Sequence, residues 1–485
     1  MGRRSILFLS TFASWKIERK DAVEMETGTS TIAAIATALS PSGISIVRVS
    51  GPKAWRIVDE VFRTPGGKQN LLSQKSHTIH YGNIWDEGEL IDEVLVMLMK
   101  GPRTFTAEDT VEIDCHGGVF VTQRVLETVL KHGARPAEPG EFTKRAFLNG
   151  RMDLSEAEAV IDVIHAKNNF ALKASMNQLK GSVAEKIRGL RDQILDAIAF
   201  IEAALDDPEH ISMDGYAEEL NRQLDPMIRE MERLIRRSEN GKILSEGIRT
   251  VIMGKPNAGK SSLLNVLTGQ ERAIVTDIAG TTRDVLEEQV RIGDIGFSIV
   301  DTAGIRQTED IVEKIGVKKA KEEANDADLI LYVADSSVPL DENDREILSF
   351  IQEKRAIILL NKNDLQTCVG PEDLRQAGAK QPILSISARR EEGMEELERV
   401  LKQMFLDGEI TSNDEVVITN LRHRTCLEEA RTSLCMVKQS IDEGMPEDFY
   451  TIDLMEAYTK LGYILGEEVE EDLVNRIFEK FCMGK

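Results

Sequence analysis

Cysteine is scarce in this chain and follows no pattern that binds a metal or builds a disulfide framework. The five cysteines are scattered through 485 residues with no CxxC pair. This spacing supports neither a zinc site nor a set of paired disulfides. A reducing compartment is the simplest interpretation.

Positive charge is also in short supply. The chain has 60 Lys and Arg residues against 83 Asp and Glu residues, which gives a formal net charge of −23 at pH 7. A chain with this net charge is not expected to bind nucleic acid non-specifically through a general positive surface potential. Any contact with RNA must therefore use a local basic patch or a partner protein.

Long apolar runs are absent. No segment reaches the roughly 18 apolar residues that span a bilayer, so the sequence predicts no membrane span and a cytoplasmic location. Residues 1–28 form a leader that we expect to be disordered, in which Arg3 and Arg4 precede a short apolar run. The acidic Glu18 and Asp21 make this leader a poor transit peptide, and a mitochondrial location stays as the alternative.

The composition is that of a globular protein, and the length of 485 residues predicts about three domains. Alternation and β-branched residues predict a mixed N-terminal domain over 29–147. Helical periodicity predicts a bundle in two separate segments, 148–245 and 406–485. Strands that alternate with helices predict a doubly wound α/β domain over 246–405. The predicted fold class is therefore multidomain, with α+β and α/β parts.

Shorter sequence patterns support these predicted domains. Ser155 and Glu158 have the spacing of a capping box ahead of an apolar run. A stripe at helical spacing, which we interpret as bundle core, consists of Ile194, Ile198, Ile201 and Leu205. Short apolar runs predict the strands of a parallel sheet buried on both faces, at 250–253, 297–301, 329–334, 357–360 and 383–386.

A P-loop pattern follows the first of these strands. Residues 254–261 read GKPNAGKS and open a helical run. Glycines let backbone N–H groups curl around phosphate oxygens, and the helix N-terminus adds positive potential. Lys260 should reach the β- and γ-phosphates, and the Ser261 hydroxyl should bind Mg²⁺. The predicted phosphate-binding residues are Asn257, Ala258, Gly259, Lys260, Ser261 and Ser262.

Two further segments complete a nucleotide switch. Asp301 follows a strand and can hold a Mg²⁺-bound water, while the Gly304 N–H can meet the γ-phosphate. A threonine of the GTTRD segment, assigned to Thr282, can join the Mg²⁺ shell only while the γ-phosphate is present. The predicted contacts are Gly280, Thr281, Thr282, Asp301, Thr302, Ala303 and Gly304.

The NKND segment at 361–364 selects the base. Asp364 can accept two parallel hydrogen bonds from guanine N1–H and the 2-amino group, which adenine does not offer. Ala388 can give a backbone N–H to the guanine carbonyl. The order of the three motifs makes GTP the predicted substrate. The predicted base-binding residues are Asn361, Lys362, Asp364, Ser387, Ala388 and Arg389.

One familiar catalytic residue is missing. Ile305 follows Gly304, where many GTPases carry a glutamine that orients the attacking water. A polar group that orients the attacking water must therefore come from another part of the protein.

Longer strings resemble the MnmE/TrmE family of tRNA-modification GTPases. They are AIVTDIAGTTRD at 273–284, FCMGK at 481–485, and three strings in the N-terminal half at 43–51, 115–118 and 135–150. The resemblance covers nearly everything from Thr31 to Lys485. It implies a folate-binding, dimerising N-terminal domain, and a helical domain with the G domain inserted between its two segments.

The resemblance also implies a reaction and partners. Members act as homodimers with the FAD-containing protein MnmG (GidA), in an expected heterotetramer. Together they add a carboxymethylaminomethyl or aminomethyl group to C5 of the wobble uridine of certain tRNAs. A formyl- or methylene-tetrahydrofolate supplies the one-carbon unit.

For the GTP pocket, the resemblance implies a potassium ion. A monovalent cation there can offset charge that develops between the β- and γ-phosphates, as an arginine finger does elsewhere. The implied K⁺ ligands are Asn257, Thr276, Ile278 and Thr281, and the same loop would bind GTP through Thr276, Asp277, Ile278, Ala279 and Gly280. Glu313 matches the residue that orients water and would act with Lys260 and Thr282. Without the resemblance, Glu313 would be interpreted as a solvated helix-face residue.

For folate, the resemblance implies Arg48, Glu112, Arg151 and the terminal Lys485. A glutamate suits the pterin N–H donors, and arginines suit carboxylates and carbonyls. Cys482 matches the near-terminal cysteine of the family, with an uncertain catalytic role. Met483 replaces the commoner isoleucine, and the glycine-rich stretch before Arg48 is reduced to residues 40–43.

A second class of function stays open at this point. A regulatory or ribosome-assembly GTPase would share the three nucleotide motifs but use its flanking domains only to bind partners. The terminal string and the folate candidates in the first domain distinguish the two hypotheses.

Overall fold

The computed structural model describes residues 30–166, 168–269, 287–292, 295–300, 323–325, 327–405, 416–467, 469, 471–482 and 484. These residues fall into two compact units. The first unit runs to Ile161 and includes the chain from Leu465 onward, and the second runs from Asp162 to Ile464. Along the part of the chain that is described, no helix is long and apolar enough to cross a bilayer.

The first unit is built on a mixed sheet with the strand order β3-β4-β5-β6-β2-β1-β7. All neighbouring strands are antiparallel except β1 and β7. The strands are β1 (Ile32–Ile35), β2 (Ile44–Ser50), β3 (Phe62–Arg63), β4 (Thr78–Asp86), β5 (Glu89–Met99), β6 (Thr110–His116) and β7 (Arg135–Pro136).

Helices α1 (Ala54–Val61) and α2 (Val119–Lys131) cover one face of this sheet. On the other face, Phe142 of α3 (Glu141–Leu148) packs against Ile32 and Ala34 of β1. Helix α14 (Glu471–Phe478), from the last part of the chain, contacts α3. Val47 and Val49 of β2 point into a core completed by Val58 of α1 and Val125 of α2. Because side chains alternate along a strand, Arg48 lies on the opposite face, and this places it for the site described below.

Helix α4 (Leu154–His165) begins two residues earlier than the predicted capping box requires. Asp153 is the cap: its carboxylate accepts from the Glu156 N–H at 3.0 Å, and the Glu156 carboxylate accepts from the Asp153 N–H at 2.9 Å. The predicted pair of Ser155 and Glu158 was therefore wrong. The box needs a residue before the first turn, and Ser155 already lies within that turn, where it is buried.

The second unit contains the predicted α/β sheet, with the strand order β13-β12-β11-β8-β10-β9. Its strands are β8 (Ile248–Met253), β9 (Glu287–Ile292), β10 (Ile295–Val300), β11 (Leu329–Asp335), β12 (Ala356–Asn361) and β13 (Ile383–Ser385). All neighbours are parallel except the edge strand β9, which is antiparallel to β10.

Strand β11 shows why the apolar runs indicated parallel strands. Leu331 and Val333 belong to the core cluster on one face of the sheet, and Ile330 and Tyr332 belong to the cluster on the other face. A strand buried on both faces reads as a continuous apolar run, so the α/β prediction is confirmed.

The remaining helices belong to the second unit. They are α5 (Asn169–Leu179), α6 (Ser182–Asp206), α7 (Tyr216–Glu246), α8 (Lys260–Gly269), α9 (Glu342–Ile351), α10 (Pro371–Gln376), α11 (Met394–Phe405), α12 (Leu421–Asp442) and α13 (Glu447–Leu465). In α6, Ile194, Ile198 and Ile201 are buried as predicted, but Leu205 is 47% exposed. Ala204 takes the inward position in that last turn, since three residues after Ile201 return to the same face.

Candidate functional site

The P-loop pattern forms a turn between β8 and α8, with two glycines in positive-φ conformations. Gly254 has φ +151°, and a Cβ there would lie 2.3 Å from the carbonyl oxygen of Val333. Gly259 has φ +101°, and a Cβ there would lie 2.1 Å from the Asn361 side-chain nitrogen. Neither position tolerates a side chain, so both glycines are required by backbone shape and by close approach.

Lys260 spans this loop. Its Nζ donates to the carbonyl oxygens of Gly254 at 2.8 Å and Lys255 at 2.7 Å. Burial lowers the pKa of the Lys260 ammonium, because a charge is costly in a poorly solvated place. Ser261 and Ser262 are exposed in the first turn of α8. A phosphate placed here would therefore meet a cation, a helix N-terminus and hydroxyl groups.

Asn361 joins the P-loop to the base-binding segments. It is 2% exposed. Its Nδ2 donates to the Ala258 carbonyl at 2.9 Å, and its Oδ1 accepts from the Ala388 N–H at 3.0 Å. The P-loop, the NKND segment and the Ser387–Ala388 segment are far apart in the chain, and this one buried amide holds parts of each within hydrogen-bonding distance.

Asp364 lies beside this junction with a fixed orientation. The Ser387 hydroxyl donates to Asp364 Oδ1 at 2.8 Å. That hydrogen bond is the main reason why the pKa of Asp364 lies below its usual value. The carboxylate is therefore ionised at neutral pH and can accept the two parallel hydrogen bonds that guanine offers. Arg389 is exposed at the next turn.

Lys362 has a partner that the sequence analysis missed. It adopts a left-handed conformation with φ +65°, and its Nζ lies 2.6 Å from Asp335 Oδ2. Burial acts to raise the pKa of Asp335, but hydrogen bonds from Lys362 and Ser337 outweigh it and hold the pKa below its usual value. Asp335 is the last residue of β11, and its place at the carboxyl end of a parallel strand could have suggested it.

Several predicted pocket residues lie outside the described residues. They are Thr276, Asp277, Ile278, Ala279, Gly280, Thr281, Thr282, Asp301, Thr302, Ala303, Gly304 and Glu313, together with the terminal Lys485. Their roles stay predictions.

In the first unit, Arg48 and Glu112 face each other across β2 and β6. Arg48 Nε donates to Glu112 Oε1 at 2.8 Å, and the two side chains are 14% and 16% exposed. Arg48 Nη1 also donates to the carbonyl oxygen of Gly484 at 3.1 Å. The end of the chain therefore lies directly beside two of the predicted folate-binding residues.

Aromatic rings that the sequence analysis did not select surround this pair. The Arg48 guanidinium carbon lies 5.6 Å from the ring centroids of both Phe105 and Phe142. The Arg151 guanidinium carbon lies 5.1 Å from the Phe105 centroid. Arg48 and Arg151 thus share contact with the Phe105 ring, and Glu112 is joined to them through its ion pair with Arg48. Cys482 is exposed, and its backbone carbonyl accepts a hydrogen bond from the Gly140 N–H.

Comparison with known proteins gives a consistent result over almost the whole chain. A family model described as the GTP-binding protein TrmE N-terminus matches residues 31–151, and one described as the MnmE helical domain matches residues 154–482. Proteins named tRNA modification GTPase MnmE from Lachnoclostridium phytofermentans and Clostridioides difficile are 57% and 49% identical to this chain. Each alignment covers 94% of this chain, with 100% and 99% of the relative.

A third relative of the same name, from Geobacillus kaustophilus, is 46% identical over 94% of this chain and 99% of its own length. Matches of this identity and extent show the family, and the described residues include a formed P-loop that is hydrogen-bonded to the NKND segment. The chain therefore belongs to the MnmE/TrmE family of tRNA modification GTPases.

Proposed function

We propose that this GTPase modifies the wobble uridine of certain tRNAs at C5, together with an FAD-containing partner of the MnmG type. The added group is carboxymethylaminomethyl or aminomethyl, and a tetrahydrofolate derivative is the one-carbon donor. The observation that carries the proposal is the convergence on Arg48 of Glu112, two phenylalanine rings and the chain terminus. A ribosome-assembly GTPase would not need a site of this kind.

The residues around Arg48 suit a pterin. A flat heterocycle can stack on phenylalanine rings or guanidinium planes, and the Glu112 carboxylate can accept from its N–H donors. Arg48 and Arg151 would hold carbonyl or carboxylate oxygens of the folate. Lys485, the last residue, would add a second kind of cation next to Gly484. Cys482 is retained as a candidate for a step of the modification reaction, with an exposed side chain.

The proposal predicts that Glu112→Ala abolishes both folate binding and tRNA modification. The variant would lose the acceptor for the pterin and leave the largely buried Arg48 without its carboxylate. The measurements are binding of labelled formyl-tetrahydrofolate and mass spectrometry of wobble uridines in cells that lack the chromosomal gene and carry the variant. We expect the modified uridine to disappear in these cells and to return with the wild-type protein.

A matched control is Glu89→Ala, which removes an exposed glutamate of β5 that pairs with Arg124. It should bind folate and restore the modification. Normal wobble uridines in cells without this protein would overturn the proposed reaction. Folate binding by Glu112→Ala equal to that of the wild type would overturn the folate assignment alone.

In the GTP pocket, we propose that Mg²⁺ is held by Ser261 and Thr282, with Asp301 behind a bound water, and that K⁺ is held by Asn257, Thr276, Ile278 and Thr281. Asn257 supports the potassium assignment, since it is exposed at the tip of the P-loop with φ +62°. An asparagine tolerates this left-handed conformation better than most residues. Glu313 would orient the attacking water.

The potassium proposal predicts that GTP turnover in KCl exceeds turnover in NaCl by at least about tenfold at equal ionic strength, because the cation does the work of an arginine finger. The measurement is phosphate release with Mg²⁺ in both salts. The difference between the salts should shrink in Asn257→Ala. Equal wild-type rates in the two salts would contradict the assignment.

The chain would act as a homodimer and in a heterotetramer with its partner, and both assemblies are part of the proposal. Size-exclusion chromatography with light scattering tests them. A monomer that does not associate with the FAD-containing partner would contradict this part.

A further inference from the structure

A second lysine of the P-loop is tied to a neighbouring helix. Lys255 follows Gly254, and its side chain is 17% exposed. Its Nζ lies 2.7 Å from Asp344 Oδ2 and 3.1 Å from Asp341 Oδ2. Both aspartates belong to the start of α9, where Asp341 is the N-cap. The first half of the phosphate loop is thus connected to an element that contributes no predicted nucleotide contact.

Asp344 is a firm anchor for this lysine. Its side chain is 2% exposed, and besides Lys255 it accepts from the Tyr332 hydroxyl at 2.7 Å and from the Asp341 N–H at 2.9 Å. Burial and the Asp344 hydrogen bond raise the pKa of Tyr332 far above its usual value, so the phenol keeps its proton and donates. A carboxylate that accepts hydrogen bonds from three donors is held in one orientation.

The other end of the connection reaches the catalytic lysine. The Lys255 carbonyl accepts from Lys260 Nζ at 2.7 Å. Lys255, whose side chain is bound by α9, therefore also accepts a hydrogen bond through its backbone from the Lys260 ammonium, which must move onto the phosphates. A shift of Lys255 would displace the carbonyl and the loop N–H groups together, since they share one short turn.

We propose that Lys255 is a positioning residue for nucleotide binding. The buried Tyr332–Asp344 pair and Asp341 hold the Lys255 side chain, and the P-loop therefore keeps its phosphate-binding shape before a nucleotide binds. Lys255 itself contacts neither base nor phosphate. Its ammonium group is paired with two carboxylates at the N-terminus of α9.

This role has a quantitative consequence. If the loop samples other shapes, the apparent dissociation constant rises by the inverse of the fraction of molecules that is competent to bind. That factor depends on the protein alone and is the same for GTP and GDP. A lysine that touched the γ-phosphate would instead affect GTP and leave GDP unchanged.

The test is equilibrium binding of fluorescent GTP and GDP analogues to full-length wild type, Lys255→Ala and Lys255→Arg, with steady-state GTP turnover alongside. We expect Lys255→Ala to weaken both nucleotides by the same factor, about three- to tenfold. The KM for GTP should rise while kcat changes less than twofold. Lys255→Arg should recover most of the affinity, because a guanidinium can bridge the same two carboxylates.

Two further variants keep the test decisive. Tyr332→Phe removes only the hydroxyl that orients Asp344, and it should weaken both nucleotides by about twofold. Lys354→Ala removes a lysine that bonds Asn325 and the Ala324 carbonyl in the same unit, and it should bind both nucleotides like the wild type. Loss confined to GTP, wild-type affinities in Lys255→Ala, or an equal loss in Lys354→Ala would each overturn the proposal.

Discussion

Replacing Lys260 with alanine should lower GTP turnover by at least about 100-fold, the effect expected when a group aimed at developing charge is removed from a preorganised site. Lys260 is the ammonium that spans the phosphate loop, where it donates to two backbone carbonyls. In its place alanine offers no charge to the β- and γ-phosphates. The loop glycines and the N-terminus of α8 remain, so some nucleotide binding should survive.

Single-turnover hydrolysis and the dissociation constants of GTP and GDP separate these contributions. Lys354→Ala is the matched control, because it removes another lysine of the same unit and leaves the pocket untouched. Its turnover should equal that of the wild type. Turnover by Lys260→Ala within a few-fold of the wild type would show that the phosphates do not lie in this loop.

The second large effect concerns the base. Asp364→Asn should weaken GTP binding by about 100- to 1,000-fold, since two charge-assisted hydrogen bonds are lost or inverted. Xanthine carries a carbonyl where guanine carries its 2-amino group. The asparagine amide can donate to that carbonyl while its oxygen accepts from N1–H, so xanthosine triphosphate should bind better to the variant than to the wild type.

Competition of GTP and xanthosine triphosphate for the two proteins tests this exchange. Asp373→Asn is a suitable control, because Asp373 caps α10 by accepting from the Gly370 N–H and asparagine can accept the same bond. It should leave both affinities as they are. An Asp364→Asn variant that still prefers GTP would mean that another residue reads the base.

Sequence patterns were sufficient for the parts of this protein that depend on local chemistry. The loop at Gly254 and Gly259 follows from the residues themselves, because only glycine fits the φ values and the close approaches found there. The apolar runs predicted the ends of the five parallel strands to within one or two residues. A strand buried on both faces is apolar along its whole length, so the length of the run gives the length of the strand.

Pairings between distant residues could not be predicted in this way. Tyr332, Asp344 and Lys255 each lie in an unremarkable local context, and only the fold brings β11, α9 and the phosphate loop together. The same holds for Phe105 and Phe142 beside Arg48. The capping box failed for a different reason. Asp153 and Glu156 have the same spacing as Ser155 and Glu158, and spacing alone does not show which residue precedes the first turn.

The measurement that tests the central claim most directly is competitive binding of GTP and ATP to the wild-type protein with Mg²⁺ and K⁺ present. Because ATP would leave the Asp364 carboxylate without its two donors, GTP should bind at least about 1,000-fold more tightly. ATP binding within tenfold of GTP, or no binding of either nucleotide, would contradict the assignment of this pocket.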